Sequence, residues 1–216
     1  MDIQKNLLAN TRIVMGRLFT IALLACLVAW NGAAQDLPRV LASESDAVRR
    51  AAVASVVSAG QGKVPLLLSL ARTPPPDLNE FEQYIFRISL AEIFGQLKTK
   101  DAIPFLISNI SLHPFPFISP NIWLKAPAVI EERMPAVGAL IKIGPAAFDA
   151  LIHLPRGPET SEDRLATIFV ISRIAPAIKD AKALDEARTF LRVALGEVNM
   201  QRFWTEEGLK LVQDSR

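Results

Sequence analysis

Cysteine is all but missing from this 216-residue chain: the single one, Cys26, lies in an apolar N-terminal run, so no thiol follows it. That excludes disulfides, thiolate metal sites and a cysteine nucleophile together. Histidine is nearly as scarce, with only His113 and His153, and a multi-histidine metal site is out of reach. Nothing in the chain implies a catalytic residue, a metal or a cofactor. An excess of charge is also lacking. The formal balance is +2, and the first 34 residues hold Lys5, Arg12 and Arg17 against Asp2 alone. Beyond them stand 21 basic and 21 acidic side chains, a neutral remainder. Neutrality removes the counterion-release drive toward nucleic acid, which needs a dense basic patch, so nucleic acid is set aside as a partner.

What the chain does have is apolar bulk in a helical rhythm. Half of its residues are hydrophobic, ample for one core-bearing domain. At Leu90, Ile93, Phe94 and Leu97, and again at Ile103, Leu106, Ile107 and Ile110, apolar residues recur at i, i+3, i+4, i+7 on either side of a polar turn. The stretch from 137 to 152 repeats the layout with Val137, Leu140 and Ile141, then Phe148, Leu151 and Ile152, around Gly144-Pro145. Two helical hairpins of the same design predict a repeat array.

The N-terminus reads as an export signal occupying residues 1–34. Basic residues precede the apolar run Leu18 to Trp30, and small residues follow, with cleavage expected after Ala34. Two alternatives stay open. Leu23-Leu24-Ala25-Cys26 resembles a lipobox, although the apolar run continues past the cysteine. An uncleaved anchor is the other, although thirteen apolar residues fall short of the roughly 20 that span a bilayer. The expected location is therefore outside the cytoplasm, periplasmic or extracellular, with membrane contact only through an uncleaved or lipidated N-terminus.

After a short linker at 35–42, capping residues, prolines and glycines divide the rest into hairpins at about 43–72, 77–112, 128–154 and 160–196, with a capping helix at 200–213. Between the second and third hairpins, prolines 114, 116, 120 and 127 rule out a regular helix and predict a long connection. Arg50, Arg87, Arg133, Arg164 and Arg202 each stand seven residues before an apolar residue, in steps of 37, 46, 31 and 38. That spacing suits arginines that brace neighbouring repeats.

Asp46-Ala-Val-Arg49 with Val64-Pro65-Leu-Leu, Ala102-Ile-Pro-Phe-Leu106, and Ala139-Leu-Ile-Lys-Ile-Gly144 resemble the helix signatures of HEAT-type repeats in bacterial HEAT-like proteins. The resemblance spans roughly residues 43 to 196 and implies an all-α solenoid of about four hairpins. It further implies a non-enzymatic scaffold for protein partners, and supplies no catalytic residues to carry over. A periplasmic enzyme-associated subunit, akin to HEAT-like lyase subunits, and a membrane-tethered assembly factor are the alternatives.

Candidate partner-binding residues fall in two groups. Phe115, Phe117 and Trp123 are large apolar groups on the proline-rich connection, where aromatics serve as anchors. Ser69, Ser108, Asn109, Asp149, His153 and Arg192 lie on the second helices, which line the concave face of such an array. Asp149 and His153, at i and i+4, have the spacing of an acid–base pair, and equally of an ordinary surface pair. Phe203 and Trp204 are expected to close the end of the array.

Overall fold

The computed structural model describes residues 36–113, 126–154 and 161–195, and every regular element among them is helical, with no strand. The all-α expectation is met. Ten α-helices follow one another: α1 (Leu37–Leu41), α2 (Asp46–Ala59), α3 (Val64–Arg72), α4 (Glu80–Gln96), α5 (Ile103–Ile107), α6 (Pro127–Arg133), α7 (Pro135–Ile143), α8 (Phe148–Ile152), α9 (Ser161–Ile174) and α10 (Ala181–Leu195). Short 3-10 turns at Gly60–Lys63, Lys100–Ala102, Gly144–Ala147 and Ala175–Ala177 join α2 to α3, α4 to α5, α7 to α8 and α9 to α10. Among the described residues these turns connect the helices two by two.

Local chemistry sets the boundaries. Asn79 starts α4 with a reciprocal cap: its side chain accepts from the Glu82 amide at 2.9 Å, and the Glu82 carboxylate accepts from the Asn79 amide at 2.8 Å. Pro65, Pro104 and Pro135 stand in the first turns of α3, α5 and α7, where a missing N–H costs nothing. The third hairpin departs from expectation, since 128–143 is two helices rather than one. Pro135 forces Met134 out of helical geometry, to φ −122° and ψ 86°. The chain then folds back so closely that a Cβ on Gly138 would lie 2.5 Å from the Glu131 carbonyl oxygen.

The stretch expected as linker holds α1, with Leu37 and Leu41 buried. The Ser89 hydroxyl, itself buried on α4, lies 2.7 Å from the Leu41 carbonyl and 3.2 Å from that of Ile85, so α1 is tied to the middle of α4.

Packing proceeds in chain order. α1 and α2 lie against α4, α4 against α7, α7 against α9, and α9 against α10. The tightest crossing is α4 on α7, where a Cβ on Gly95 would stand 2.7 Å from the Ala139 Cα. Gly95 is thus a helix-crossing residue. Gly60 (φ 71°) and Gly144 (φ 78°) take positive φ directly at the ends of α2 and α7, whereas after α4 the positive φ falls to Lys98 (φ 51°), one residue past the cap. There the Thr99 amide donates to the Phe94 carbonyl and the Lys98 amide to that of Gly95, closing a Schellman motif.

One apolar cluster runs through all four hairpins, from Leu37 to Ala194. Phe94 meets Phe105 edge-on at 5.6 Å across the α4–α5 turn. In α9, eight consecutive residues, 165–172, are buried, as expected of a helix surrounded by others. Its buried hydroxyls, Thr167 and Ser172, donate to the Asp163 and Phe169 carbonyls of the same helix. By length and composition, Asp46–Arg72 and Pro135–Ile152 reach the threshold for a membrane span. Each, however, is broken at Gly60 or Gly144 by a positive φ, and the second is largely buried in the core.

Candidate functional site

Of the two predicted groups, Phe115, Phe117 and Trp123 lie outside the described residues, as do Ala34, Arg202, Phe203 and Trp204. The second-helix group is described. Ser108 and Asn109 stand at the end of α5, Asp149 and His153 at the start and end of α8, and these two helices are neighbours. Arg192 is exposed on α10, which packs on α9. Ser69 is exposed on α3. The arrangement therefore puts four of the six on two neighbouring helices and leaves the others on separate helices.

Their hydrogen bonds are local. Ser108 Oγ donates to the Pro104 carbonyl at 3.0 Å, and Asn109 Nδ2 to that of Phe105 at 2.8 Å. His153 Nδ1 lies 2.8 Å from the backbone carbonyl of Asp149, which only accepts, so the ring nitrogen donates. The carboxylate takes no part in this bond, and the acid–base pairing allowed by the i, i+4 spacing is not made. Among the described residues, no group of three or more His, Cys, Asp or Glu side chains converges as metal ligands would.

The repeating arginines divide in the same way. Arg50 pairs with Asp46 of its own helix at 2.7 Å, and Arg164 lies over the Phe190 ring at 4.9 Å, joining α9 to α10. Arginines outside the series join parts distant in sequence. Arg39 pairs with Asp77 at 3.0 Å, linking α1 to the segment before α4, and Arg173 pairs with Glu131 at 3.3 Å, linking α9 to α6.

Two polar groups that periodicity did not single out occupy half-buried positions. Glu92, on α4, lies among Arg49, Arg50 and Asp46 of α2 and Lys142 of α7. Asp46 engages both arginines. Burial holds the Glu92 carboxyl above its ordinary range, the three cations pulling it down and Asp46 adding to the rise. The signal for it was a lone acid in the otherwise apolar run Leu90 to Phe94. Tyr84, the only tyrosine, donates its hydroxyl to the His113 carbonyl where the second hairpin ends. Burial raises its pKa, the bond to His113 opposes the rise, and Glu162 of α9 reinforces it.

No family model matches the chain, and no curated protein matches it.

Proposed function

We propose that the chain is an exported, non-enzymatic adaptor, an α-solenoid of about four HEAT-like hairpins whose surface holds a protein partner. The observation that carries this reading is the order of packing: α2, α4, α7 and α9, the first helices of the hairpins, touch one another in sequence, and the second helices α5 and α8 do likewise. A stack in which each unit contacts the next is how repeat proteins build a core and an extended surface together. The motif residues behave accordingly. Asp46 and Arg49, which open the HEAT-like pattern, form an ion pair within α2, and the Arg49 guanidinium also donates to the Ser43 carbonyl. Export rests on the basic and apolar layout of residues 1–34.

The partner face is assigned to the second helices, at Ser108, Asn109, Asp149 and His153, with Ser69 and Arg192 beyond them, and Phe115, Phe117 and Trp123 as candidates from the sequence alone. Crosslinked pull-down from the exporting cell should recover one recurrent stoichiometric partner. Alanine at Ser108, Asn109, Asp149 and His153 should abolish it, whereas alanine on the first helices should not. A bound small molecule without a protein partner would overturn the adaptor reading, and loss confined to first-helix variants would overturn the face.

A further inference from the structure

The balance of charge beyond residue 34 conceals a sorting of lysines. The described segments contain six, at 63, 98, 100, 142, 179 and 182, and all lie within or beside the turns that join the two helices of a hairpin. Those turns share one edge of the molecule. Gln61 in the first donates to the Leu97 carbonyl at the second, at 2.7 Å. Gly95 against Ala139 sets the last turns of α4 and α7 side by side, three residues before Lys98 and Lys142. The third turn, Gly144–Ala147, touches the fourth, Ala175–Ala177. Five of the lysines are exposed and Lys63 is half-buried.

Helix electrostatics explains only part of this row. Lys142, in the last turn of α7, and Lys98, just past α4, complement C-terminal carbonyls. The rest precede or open helices. Lys63 occupies the N-cap of α3, Lys100 precedes α5, Lys179 precedes α10 and Lys182 sits in its first turn. A helix N-terminus disfavours a cation by about 0.3–1 kcal/mol, and lysine is a poor N-cap. Local stability therefore argues against Lys63, Lys100 and Lys179, whereas Lys182 pairs with Glu186 one turn on at 3.8 Å. Acids near these lysines are Asp101, Asp149, Asp180, Glu186 and the half-buried Glu92, of which Asp180 caps the Ala183 amide at 2.7 Å, Glu186 pairs with Lys182 and Glu92 lies beside Lys142. The edge carries a surplus of flexible point charges that folding does not require.

We propose that this lysine edge is a docking surface for an acidic, extended protein segment. The inference rests on the adaptor reading and names its partner's chemistry. Neighbouring helices lie about 8–10 Å apart, so four turns span about 30 Å, the length of about nine residues of extended chain. Lysines on flexible stems accept carboxylates without the fixed fork that arginine imposes. The edge also carries Leu66, which is 42% exposed beside Lys63, and the exposed Pro104 and Pro145, apolar footholds between the charges.

The test uses the full chain and a fluorescein-labelled peptide of about ten residues with glutamate at every third position, its glutamine counterpart serving as control. Anisotropy should register binding of the glutamate peptide alone, weakening between about 50 and 200 mM salt. Replacing Lys98, Lys100 and Lys142 with glutamine should weaken binding about tenfold, while Arg87→Gln with Arg133→Gln should change it less than about twofold. Unchanged circular dichroism checks the fold of each variant. No binding by the native chain, or equal loss in the arginine variant, overturns the proposal. So does tighter lysine-dependent binding to DNA or anionic vesicles, which would assign the edge to that class instead. If the lysine variant loses the peptide but still captures the cellular partner, the acidic-segment proposal fails and the adaptor reading stands.

Discussion

Lys98 and Ser89 show how single side chains set the geometry of the second hairpin. Lys98 takes a left-handed conformation that costs an L-residue roughly 1–2 kcal/mol and glycine almost nothing. Lys98→Gly should therefore stabilise the chain by about 1 kcal/mol, read as a higher urea midpoint with an unchanged slope. Ser89→Ala should act in the opposite direction. It leaves the buried Leu41 carbonyl without its hydroxyl donor, a loss of about 1–3 kcal/mol by thermal or urea unfolding. Neither role was legible in the sequence. A lysine in a polar turn looks like any solvated residue, and a serine within an apolar helix face does not name the carbonyl it meets 48 residues away. The second-helix candidates stayed obscure for a related reason. Periodicity locates Ser108, Asn109 and His153 on a helix, yet short polar side chains there tend to bond the preceding turn, as these do.

Helices and their crossings were more readable, because capping and spacing act locally. The four hairpins follow from repeated i, i+3, i+4 apolar residues with proline or glycine between them. What sequence reading missed at this scale came from context: α1 is too short to show a period, and the 127–143 segment breaks at the residue before Pro135. The α4–α7 crossing gives a direct check. Gly95→Ala would press a Cβ against the Ala139 backbone, so the usual gain from alanine in a helix should be overridden, with a net loss of about 1–3 kcal/mol. Adding Ala139→Gly should rescue only partly, because the Ala139 Cα remains 2.7 Å from the new methyl. Glu92 links the same helices through charge. Its folded pKa is raised, so the folded chain holds its proton to higher pH than the unfolded chain. Stability from this group is thus greatest below the ordinary glutamate range and falls as pH rises through the raised value. Glu92→Gln should stabilise the chain at about pH 7 and flatten its stability profile between that pH and the ordinary glutamate range, as measured by urea unfolding across the series.

For the molecule as a whole, apolar periodicity announced helices and composition excluded thiol and multi-histidine sites, while net charge concealed a basic edge that only the alignment of turns reveals. Linear order placed those lysines tens of residues apart, and a formal sum cannot register where they gather. The N-terminal reading has an inexpensive check. If the proposed export signal is cut as expected, the intact mass of the mature protein should correspond to a chain beginning at Gln35. A lipidated Cys26 or an unprocessed N-terminus would point to tethering.

If the chain is cut after Ala34 as proposed, the buried start of α1 imposes an order of events on the processing. Leu37 is packed into the core only three residues beyond Ala34. A peptidase needs several residues of extended chain on both sides of its cut, and with α1 docked the downstream side is engaged almost at once. Under that proposal, cleavage at Ala34 belongs before α1 settles on α4. A fusion placed directly at the new N-terminus would strain the same contact unless a flexible spacer intervened.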